Sequence, residues 1–287
     1  MARIGIIGGS GFYDLDGIHD LHEVHVETPF GDPSDALTIG QLEGVEVAFL
    51  PRHGRGHRIP PTRVNSRANV WALKSLGVQW VLSVSAVGSM REEIRPLDVV
   101  VPDQLIDRTR LRPTSFFDEA GLAVHVGMAD PFCPVLAHIV SEAAQAAGAT
   151  VHRDGTYVCI EGPQFSTKAE SRLFRSWGVD VIGMTAMPEA RMAREAELHY
   201  AIMAMSTDYD VWHESEQPVT AEMVIANVMK NVAMSKRAVL GAIPAIERAK
   251  VTCGCESALA TAIISAREAI SPEQRKKHEL LVGKYLA

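Results

Sequence analysis

The chain has 287 residues and carries 28 Lys and Arg against 35 Asp and Glu, a formal net charge of −7 with His neutral. This acidic balance argues against a general nucleic-acid binder, and 47% hydrophobic with 22% charged residues excludes broad disorder. No apolar run approaches the roughly 20 residues of a membrane span. We find no secretory signal at the N-terminus, so we expect a cytoplasmic protein with no membrane partner.

In chain order, short apolar runs alternate with segments of helical spacing. The apolar runs predict strands over residues 3–7, 45–50, 80–84, 98–101, 156–160, 179–182 and 200–205. Helical spacing predicts helices over residues 64–76, 134–147, 168–177, 188–196, 220–243 and 257–269, and the charged segment 272–277 predicts a surface turn or helix. This alternation is typical of a sheet covered on both faces. Since no linker or repeat divides residues 1–287, we predict a single α/β domain with a central mixed β-sheet flanked by helices.

Polar residues follow five of the predicted strands, which is where open α/β sheets place ligands. These groups are residues 8–11, Arg52-His53, Ser85-Ala86, Met184-Thr185 and Asp208 with Asp210. In the first group, Ser10 and its neighbouring glycines can present N–H groups and a hydroxyl to an anion. The motif GGSG matches neither a dinucleotide fingerprint nor a P-loop, and a simple turn is an equal interpretation.

The segment RHGRGH at residues 52–57 concentrates cationic donors beside glycines. Because Arg binds phosphate oxygens in bidentate fashion, we favour an anion site here over a solvated basic turn. His53 and His57 are spaced as in some metal sites, but no third ligand is evident and we predict no metal. With the hydroxyls of Ser85 and Thr185, the set predicts a phosphate cradle, although each hydroxyl alone is more often a turn residue.

Asp208 and Asp210 lie two residues apart and would face the same way in an extended segment. Two nearby carboxylates raise one pKa, so one of them can stay protonated and act as an acid. An acidic loop or a pair of calcium ligands is the alternative. Helix capping is a further alternative, but Thr220 is better suited to cap the following helix.

The four cysteines form no disulfide framework in a chain of this length. The pair Cys253 and Cys255 could be a strained redox disulfide, half of a metal site or two ordinary buried thiols, and we favour the thiols. Cys133 and Cys159 show no ligand-like spacing to this pair.

Taken together, these residues resemble the 5′-methylthioadenosine phosphorylases, a family of the trimeric purine nucleoside phosphorylase superfamily. The resemblance covers about residues 3–246 and is carried by IGIIGGSGF, TPFGDPSDAL, RHGRGH, VNSRANVWALK, SAVGSMREEI, DQLIDRT, MADPFCP, IEGPQFSTKAESR, GMTAMPEA and STDYDVW. It implies a single α/β domain in a homotrimer. The implied reaction converts phosphate and methylthioadenosine into adenine and 5-methylthioribose 1-phosphate, with phosphate as a co-substrate and no metal or organic cofactor.

The resemblance also implies a role for individual residues. The implied phosphate ligands are Ser10, Arg52, His53, Ser85, the backbone N–H of Ala86, and Thr185. Phe165 and Met184 would line the base and ribose. Ala221, Val224 and Ile225 would line a 5′-methylthio pocket that His125 of a neighbouring subunit approaches.

The choice of base depends on Ser166, Asp208 and Asp210. Related phosphorylases that cleave 6-oxopurines carry Glu in place of Ser166 and Asn in place of Asp208. Asp210 can accept a hydrogen bond from the adenine N6 amino group, and Asp208 can share a proton with N7. The motifs therefore favour a 6-aminopurine, with Asp208 as the general acid.

Three rival functions stay open from the sequence. The first is a phosphorylase of the same family that acts on methylthioinosine, inosine or guanosine. The second is a phosphate- or nucleotide-binding regulatory protein without turnover. The third, a redox protein that uses Cys253 and Cys255, is disfavoured because the thioredoxin-like C-x-x-C spacing is absent.

Overall fold

The computed structural model describes residues 3–8, 17–42, 44–214 and 219–287. The strands found in these residues are β1 (Ile4–Gly8), β2 (His19–Val24), β3 (Leu37–Leu42), β4 (Val45–Pro51), β5 (Trp80–Ser89), β6 (Val99–Val101), β7 (Gln104–Arg108), β8 (Val151–Arg153), β9 (Thr156–Ile160), β10 (Val181–Gly183) and β11 (His199–Asp208). The helices are α1 (Ser66–Ser75), α2 (Pro134–Ala146), α3 (Lys168–Ser176), α4 (Ala186–Glu195), α5 (Ala221–Glu247) and α6 (Pro272–Leu286).

All of these strands belong to one mixed sheet centred on β5. β5 pairs in parallel with β1 over its first half and with β11 over nearly its whole length. At its end β5 pairs with β10 in the antiparallel direction. Beyond β1 the sheet continues through the parallel pair β1–β4 and the antiparallel pairs β3–β4 and β2–β3. Beyond β10 it continues through the parallel pairs β9–β10 and β7–β9. The sheet thus confirms the predicted mixed α/β class.

Helices cover both faces of the sheet, which explains why its inner strands are apolar on both sides. α2 and α5 pack on one face, where Leu136, Val140 and Ala238 join a core with residues of the central strands. α1, α4 and α6 pack on the other face, where their buried members include Leu73 and Val282.

Most predicted elements are present, with shifts of a few residues at their ends. The helix predicted over 257–269 is wrong, because this segment holds only the 3₁₀ turns Cys255–Ser257 and Arg267–Ala269. The charged tail forms the 15-residue helix α6, which buries His278, Leu281 and Val282. The strands β2, β3, β7 and β8 were not predicted. In the case of β2, the reason is an exposed and mostly polar sequence, HDLHEV, with no clear apolar face.

In the part of the chain that the structure describes, every helix is too short or too polar to cross a lipid bilayer.

Candidate active site

The predicted site residues gather where β5 meets β4, β10 and β11. β5 continues through Ser89, so Ser85 and Ala86 lie inside the strand and not after its end, as the sequence had suggested. Ala86 is nevertheless half-buried, while every other residue of this fully described strand is buried. The central strand is therefore accessible from outside at Ala86.

The Ser85 and Thr185 hydroxyls lie together, 2.7 Å apart between their Oγ atoms. The Tyr157 hydroxyl is 3.5 Å from each of them and is fully buried. A Cβ atom at Gly183 would stand 1.9 Å from this hydroxyl, so only glycine permits the approach. Tyr157 and Gly183 are thus supporting residues that the sequence reasoning missed, and a glycine at the end of a strand was the available signal.

Arg52 follows β4, as predicted, but its guanidinium is turned into the protein interior. Nε and Nη2 donate to the two carboxylate oxygens of Glu189 at 2.9 and 3.1 Å. Nη2 also donates to Ser83 Oγ at 2.6 Å, and Nη1 donates to the Val84 carbonyl at 2.9 Å. These bonds occupy four of the five N–H groups, and the last has no acceptor among the described residues. The sequence predicted that the positive charge of Arg52 binds phosphate. In the structure the carboxylate of Glu189 offsets this charge.

Glu189 is itself held by several donors. Ser83 Oγ and the Tyr200 hydroxyl both donate to its Oε1, each at 2.7 Å. Burial alone would raise the pKa of Glu189, but the Arg52 guanidinium holds it below its ordinary value. The sequence reasoning missed Glu189, because 137 residues separate it from Arg52.

His53 is a neutral imidazole in this site. Burial and the neighbouring Arg52 lower its pKa to about 4. Nδ1 lies 2.8 Å from the Ile59 carbonyl and must donate to it, because a carbonyl only accepts. The ring stacks on His57 with 4.3 Å between centroids. The other nitrogen, Nε2, is therefore the acceptor in the neutral ring.

Asp208 ends β11, and Asp210 does not continue the strand as the sequence reasoning assumed. Asp210 has a φ of +51°, and its backbone N–H donates to Asp208 Oδ1 at 2.8 Å. The two carboxylates come together through this turn, beside Gly88. A Cβ atom at Gly88 would lie 2.9 Å from Asp208 Oδ1 and 3.4 Å from the Asp210 Cβ, so the glycine makes room for both acids.

The pKa of each acid is raised, and burial is the largest cause for both. Burial raises the pKa of Asp208, while the Thr207 hydroxyl and the Asp210 N–H lower it. Burial raises the pKa of Asp210 to about 6, and the charge of Asp208 adds to this rise, while the nearby Ser171 and Ser166 hydroxyls lower it. The repulsion between the two carboxylates therefore adds to the effect of burial.

Several buried oxygens beside this pair have no hydrogen-bond partner among the described residues. They are Asp210 Oδ2, Ser166 Oγ and Ser171 Oγ. Ser166 lies before α3, and Ser171 lies within this helix. The two hydroxyls lie close enough to the Asp210 carboxyl to lower its pKa, and a polar ligand between them would complete the hydrogen bonding of all three atoms.

Met184 and Thr185 are held in place by Arg112, which the sequence reasoning also missed. The buried Arg112 donates to the Met184 carbonyl at 2.7 Å and to the Met187 carbonyl at 2.6 Å. Its Nε donates to Glu161 Oε1 at 3.1 Å, which ties this segment to the end of β9. Because these contacts join residues far apart in sequence, no local motif predicts them.

The apolar residues predicted for the 5′ pocket lie at the start of α5. Ala221, Val224 and Ile225 are spaced i, i+3 and i+4 and share one face of the helix. Thr220 caps this helix as predicted, accepting from the Met223 N–H at 3.2 Å. Asn227 Nδ2 donates to the Thr207 carbonyl at 2.7 Å and anchors the helix beside Asp208.

The predicted residues nearest the surface are partly open to solvent in the single chain. Ile225 is 63% exposed and Phe165 is 39% exposed. His125 is also exposed, and its backbone N–H donates to the Ala262 carbonyl at 2.9 Å, which anchors this residue to the C-terminal segment. Ser10 lies outside the described residues.

All four cysteines are free, as favoured from the sequence for Cys253 and Cys255, but three of them lie together. Cys133 Sγ lies 3.5 Å from Cys253 Sγ, although 120 residues separate them. Together with Cys255 and His199 they form one cluster, so the lack of ligand-like spacing to Cys133 was misleading. Cys159 is buried elsewhere, against Met187.

A sequence profile of the phosphorylase superfamily matches residues 3–244 of this chain. S-methyl-5′-thioadenosine phosphorylase of Geobacter sulfurreducens is 53% identical over 283 residues, which is 99% of each chain. The enzyme of the same name from Koribacter versatilis is 52% identical over 284 residues, covering 99% of this chain and 97% of its own.

Solved structures agree with these relatives. A methylthioadenosine phosphorylase from an Antarctic soil metagenomic library superposes with a TM-score of 0.93 at 47% identity, covering 98% of both chains. A Schistosoma mansoni methylthioadenosine phosphorylase in complex with adenine gives a TM-score of 0.86 at 37% identity, covering 92% of this chain and 99% of its own. The chain thus belongs to the phosphorylase superfamily and, within it, to the family of the S-methyl-5′-thioadenosine phosphorylases.

Proposed function

We propose that this chain catalyses the phosphorolysis of S-methyl-5′-thioadenosine to adenine and 5-methylthio-α-D-ribose 1-phosphate. The observation that carries the proposal is the buried Asp208–Asp210 pair with its unpartnered Oδ2. The names of the relatives support the same substrate.

In this proposal phosphate lies beneath the sugar, against the accessible part of the central strand at Ala86. The Ser85 and Thr185 hydroxyls, the Ala86 N–H and the last free N–H of Arg52 would donate to its oxygens. Since Glu189 offsets the charge of Arg52, hydroxyl and backbone dipoles supply much of the stabilisation. Ser10 is predicted to join this cradle.

His53 complements these donors. Its Nδ1–H is committed to the Ile59 carbonyl, and its pKa of about 4 keeps Nε2 unprotonated at neutral pH. Nε2 can thus accept the proton of a phosphate P–O–H group. This contact would orient the dianion so that an oxygen without a proton faces the sugar.

The purine is held on the other side by the two acids. Asp210 Oδ2, with Ser166 beside it, would receive the exocyclic amine that a 6-aminopurine presents. Asp208 would hold a proton against N7. The single hydroxyl hydrogen of Thr207 has two acceptors within reach, the Val87 carbonyl at 3.1 Å and Asp208 Oδ2 at 2.7 Å. When this hydrogen points to Val87, Asp208 Oδ2 loses its donor and can carry the proton that N7 is to receive.

The reaction then requires no covalent enzyme intermediate. The bond between C1′ and N9 breaks, its electron pair moves into the purine, and N7 receives the proton of Asp208. A phosphate oxygen attacks the oxocarbenium-like C1′ and forms the sugar phosphate. The chain supplies placement and electrostatic stabilisation for both steps.

We further propose that the active assembly is a homotrimer in which His125 of a neighbouring copy closes the 5′ pocket. The exposure of Ile225 and Phe165 in the single chain supports this, because a second subunit would bury them. An apolar pocket of Ala221, Val224 and Ile225 suits a thiomethyl group, and it rejects a 5′-hydroxyl by only about a hundredfold. A cytoplasmic location stays a prediction from the sequence.

The proposal is tested with purified protein and four nucleosides, methylthioadenosine, adenosine, methylthioinosine and inosine, each with and without phosphate. We expect adenine from methylthioadenosine, only when phosphate is present, and slow turnover of adenosine. Rapid release of hypoxanthine with little adenine would instead assign the chain to 6-oxopurine nucleosides. Binding of phosphate without release of any base would indicate a regulatory protein.

A further inference from the structure

A second cluster of chemically reactive side chains lies at the opposite end of β11 from the proposed site. Cys133, His199, Cys253 and Cys255 place one sulfur or nitrogen atom each within 4.8 Å of one another. His199 begins β11 and Asp208 ends it. A ten-residue strand spans about 30 Å, so this cluster does not contact the proposed substrates.

We propose that these four residues form a structural zinc site of the Cys₃His type. Zn–S bonds of about 2.3 Å and Zn–N bonds of about 2.0 Å, at tetrahedral angles, put two sulfurs about 3.8 Å apart and sulfur and nitrogen about 3.5 Å apart. In the structure the Sγ atoms of Cys133 and Cys253 are 3.5 Å apart. His199 Nδ1 lies 3.4 Å from the first and 3.3 Å from the second. Three of the four ligand atoms therefore already have nearly the spacing of a zinc tetrahedron, and Cys255 Sγ lies within 4.8 Å of each of them.

The imidazole of His199 is oriented as a metal ligand. Its Nε2 lies 3.3 Å from Glu256 Oε1, and a carboxylate at this nitrogen takes the ring N–H. Nδ1 then turns its lone pair towards the three sulfurs. Zinc-bound histidines are commonly held by such a carboxylate partner. The ring is also fully buried and stacks on Trp80 with 3.8 Å between centroids, which fixes its plane.

The surroundings also suit thiolates. Cys133 caps the start of α2, and its Sγ accepts from the Leu136 N–H at 3.4 Å. Arg194 Nη1 lies 3.8 Å from Cys255 Sγ. Three thiolates and one neutral imidazole around Zn²⁺ carry a net charge of −1, which the Arg194 guanidinium and the positive end of α2 offset.

The same distances count against a disulfide as the resting state. A disulfide needs its sulfurs about 2.05 Å apart, whereas the Cys133–Cys253 pair is at 3.5 Å and all four cysteines are free. A zinc ion would instead join the start of α2, the start of β11 and the segment after α5. Its effect would be to fasten residues 249–258 to the sheet, because this segment has little regular structure of its own.

The first test is metal analysis of protein purified with a reductant and reconstituted with zinc sulfate, followed by removal of loosely bound metal. We expect close to one zinc ion per chain. Cys253→Ser should lose this zinc, and the matched variant Cys159→Ser, which alters a buried thiol away from the cluster, should retain it. Equal zinc in both variants would overturn the proposal, as would wild-type protein that takes up no zinc.

A second test does not depend on the folding of a variant. Wild-type protein loaded with Co²⁺ should show the intense visible bands of a tetrahedral thiolate site, and zinc should displace them. Octahedral cobalt spectra, or a Cys253–Cys255 disulfide that forms in the presence of reductant and zinc, would contradict the assignment.

A third test separates the ligands from their support. Glu256→Gln should keep the zinc but weaken its affinity about 10- to 100-fold in competition with a chelator. An unchanged affinity would contradict the assignment of His199 as a zinc ligand held by Glu256. None of the three tests uses turnover of a nucleoside, so failure of the zinc site and failure of the proposed activity are distinguishable.

Discussion

Glu189 and Asp210 are two buried carboxylates of the same protein with opposite behaviour. Burial pushes up the pKa of both. Glu189 nevertheless ends below its ordinary value, because the Arg52 guanidinium and two hydroxyls donate to it. Asp210 pairs with no cation among the described residues and faces Asp208, so its pKa rises to about 6. The partners, and not burial alone, decide whether a buried acid is a fixed charge or an exchangeable proton.

The largest effect is expected when the proposed proton donor is removed. Asp208→Asn keeps the shape of the side chain but cannot protonate N7, so kcat/KM for methylthioadenosine should fall about 10²- to 10⁴-fold. The relative rate on 6-oxopurine nucleosides should rise. Steady-state kinetics on both nucleosides measure the change, and the urea midpoint checks that the variant is folded. A variant with full methylthioadenosine activity would show that Asp208 is not the acid.

Glu189→Gln tests whether the Glu189 carboxylate acts as a fixed counter-charge to Arg52. This change leaves the guanidinium of Arg52 buried without a counter-charge, and the free energy of unfolding should drop by about 3–5 kcal/mol. Urea denaturation at pH 7 measures it. Tyr200→Phe, which removes one hydrogen bond to the same carboxylate, should cost less, about 1.5–3 kcal/mol. A loss below about 1 kcal/mol in Glu189→Gln would mean that the pair does not hold the site together.

The raised pKa of Asp210 predicts that this residue destabilises the fold at neutral pH. Its folded pKa of about 6 exceeds the ordinary 3.8, so the folded protein binds more protons between these values. Stability is therefore lost as the pH rises through this window, by up to about 3 kcal/mol. Asp210→Asn removes this titrating group. Between pH 4 and pH 7 the free energy of unfolding of the variant should therefore fall less than that of the native protein. Parallel pH slopes of the two proteins would contradict the raised pKa.

The smallest effect is expected at Ser166. Its buried Oγ has no partner among the described residues, so Ser166→Ala should leave stability nearly unchanged. If adenine supplies the missing partner, the Kd for adenine should rise about 3- to 10-fold. Calorimetric titration measures this, with Ser176→Ala on the exposed side of α3 as the control. An equal Kd in the two variants would place Ser166 away from the base.

The sequence predicted the parts of the site that local motifs carry. Glycines and polar residues after apolar runs located Arg52, Thr185 and Asp208, because strands of one sheet bring their ends together. The same reasoning wrongly ended β5 before Ser85, since serine and glycine usually signal a turn and here continue a buried strand. Thr220 was predicted correctly as a cap because capping is local.

The parts that failed depend on contacts between distant residues. Glu189 neutralises Arg52 across 137 positions, and Cys133 meets Cys253 across 120. Neither pair leaves a spacing pattern that can be recognised without the fold. The turn at Asp210 failed for another reason, since a positive φ is uncommon for a non-glycine residue and the DYD motif is equally compatible with an extended chain.

One measurement addresses the central claim about the Asp208–Asp210 pair most directly. It is the ratio of kcat/KM for methylthioadenosine to that for methylthioinosine, with the native protein and saturating phosphate. A 6-oxo base would leave the carboxylate acceptor of Asp210 without a donor, and discrimination through buried hydrogen-bonding groups reaches about 10⁴- to 10⁵-fold. We expect a ratio of this order in favour of methylthioadenosine. A ratio near one, or one that favours methylthioinosine, would contradict the account.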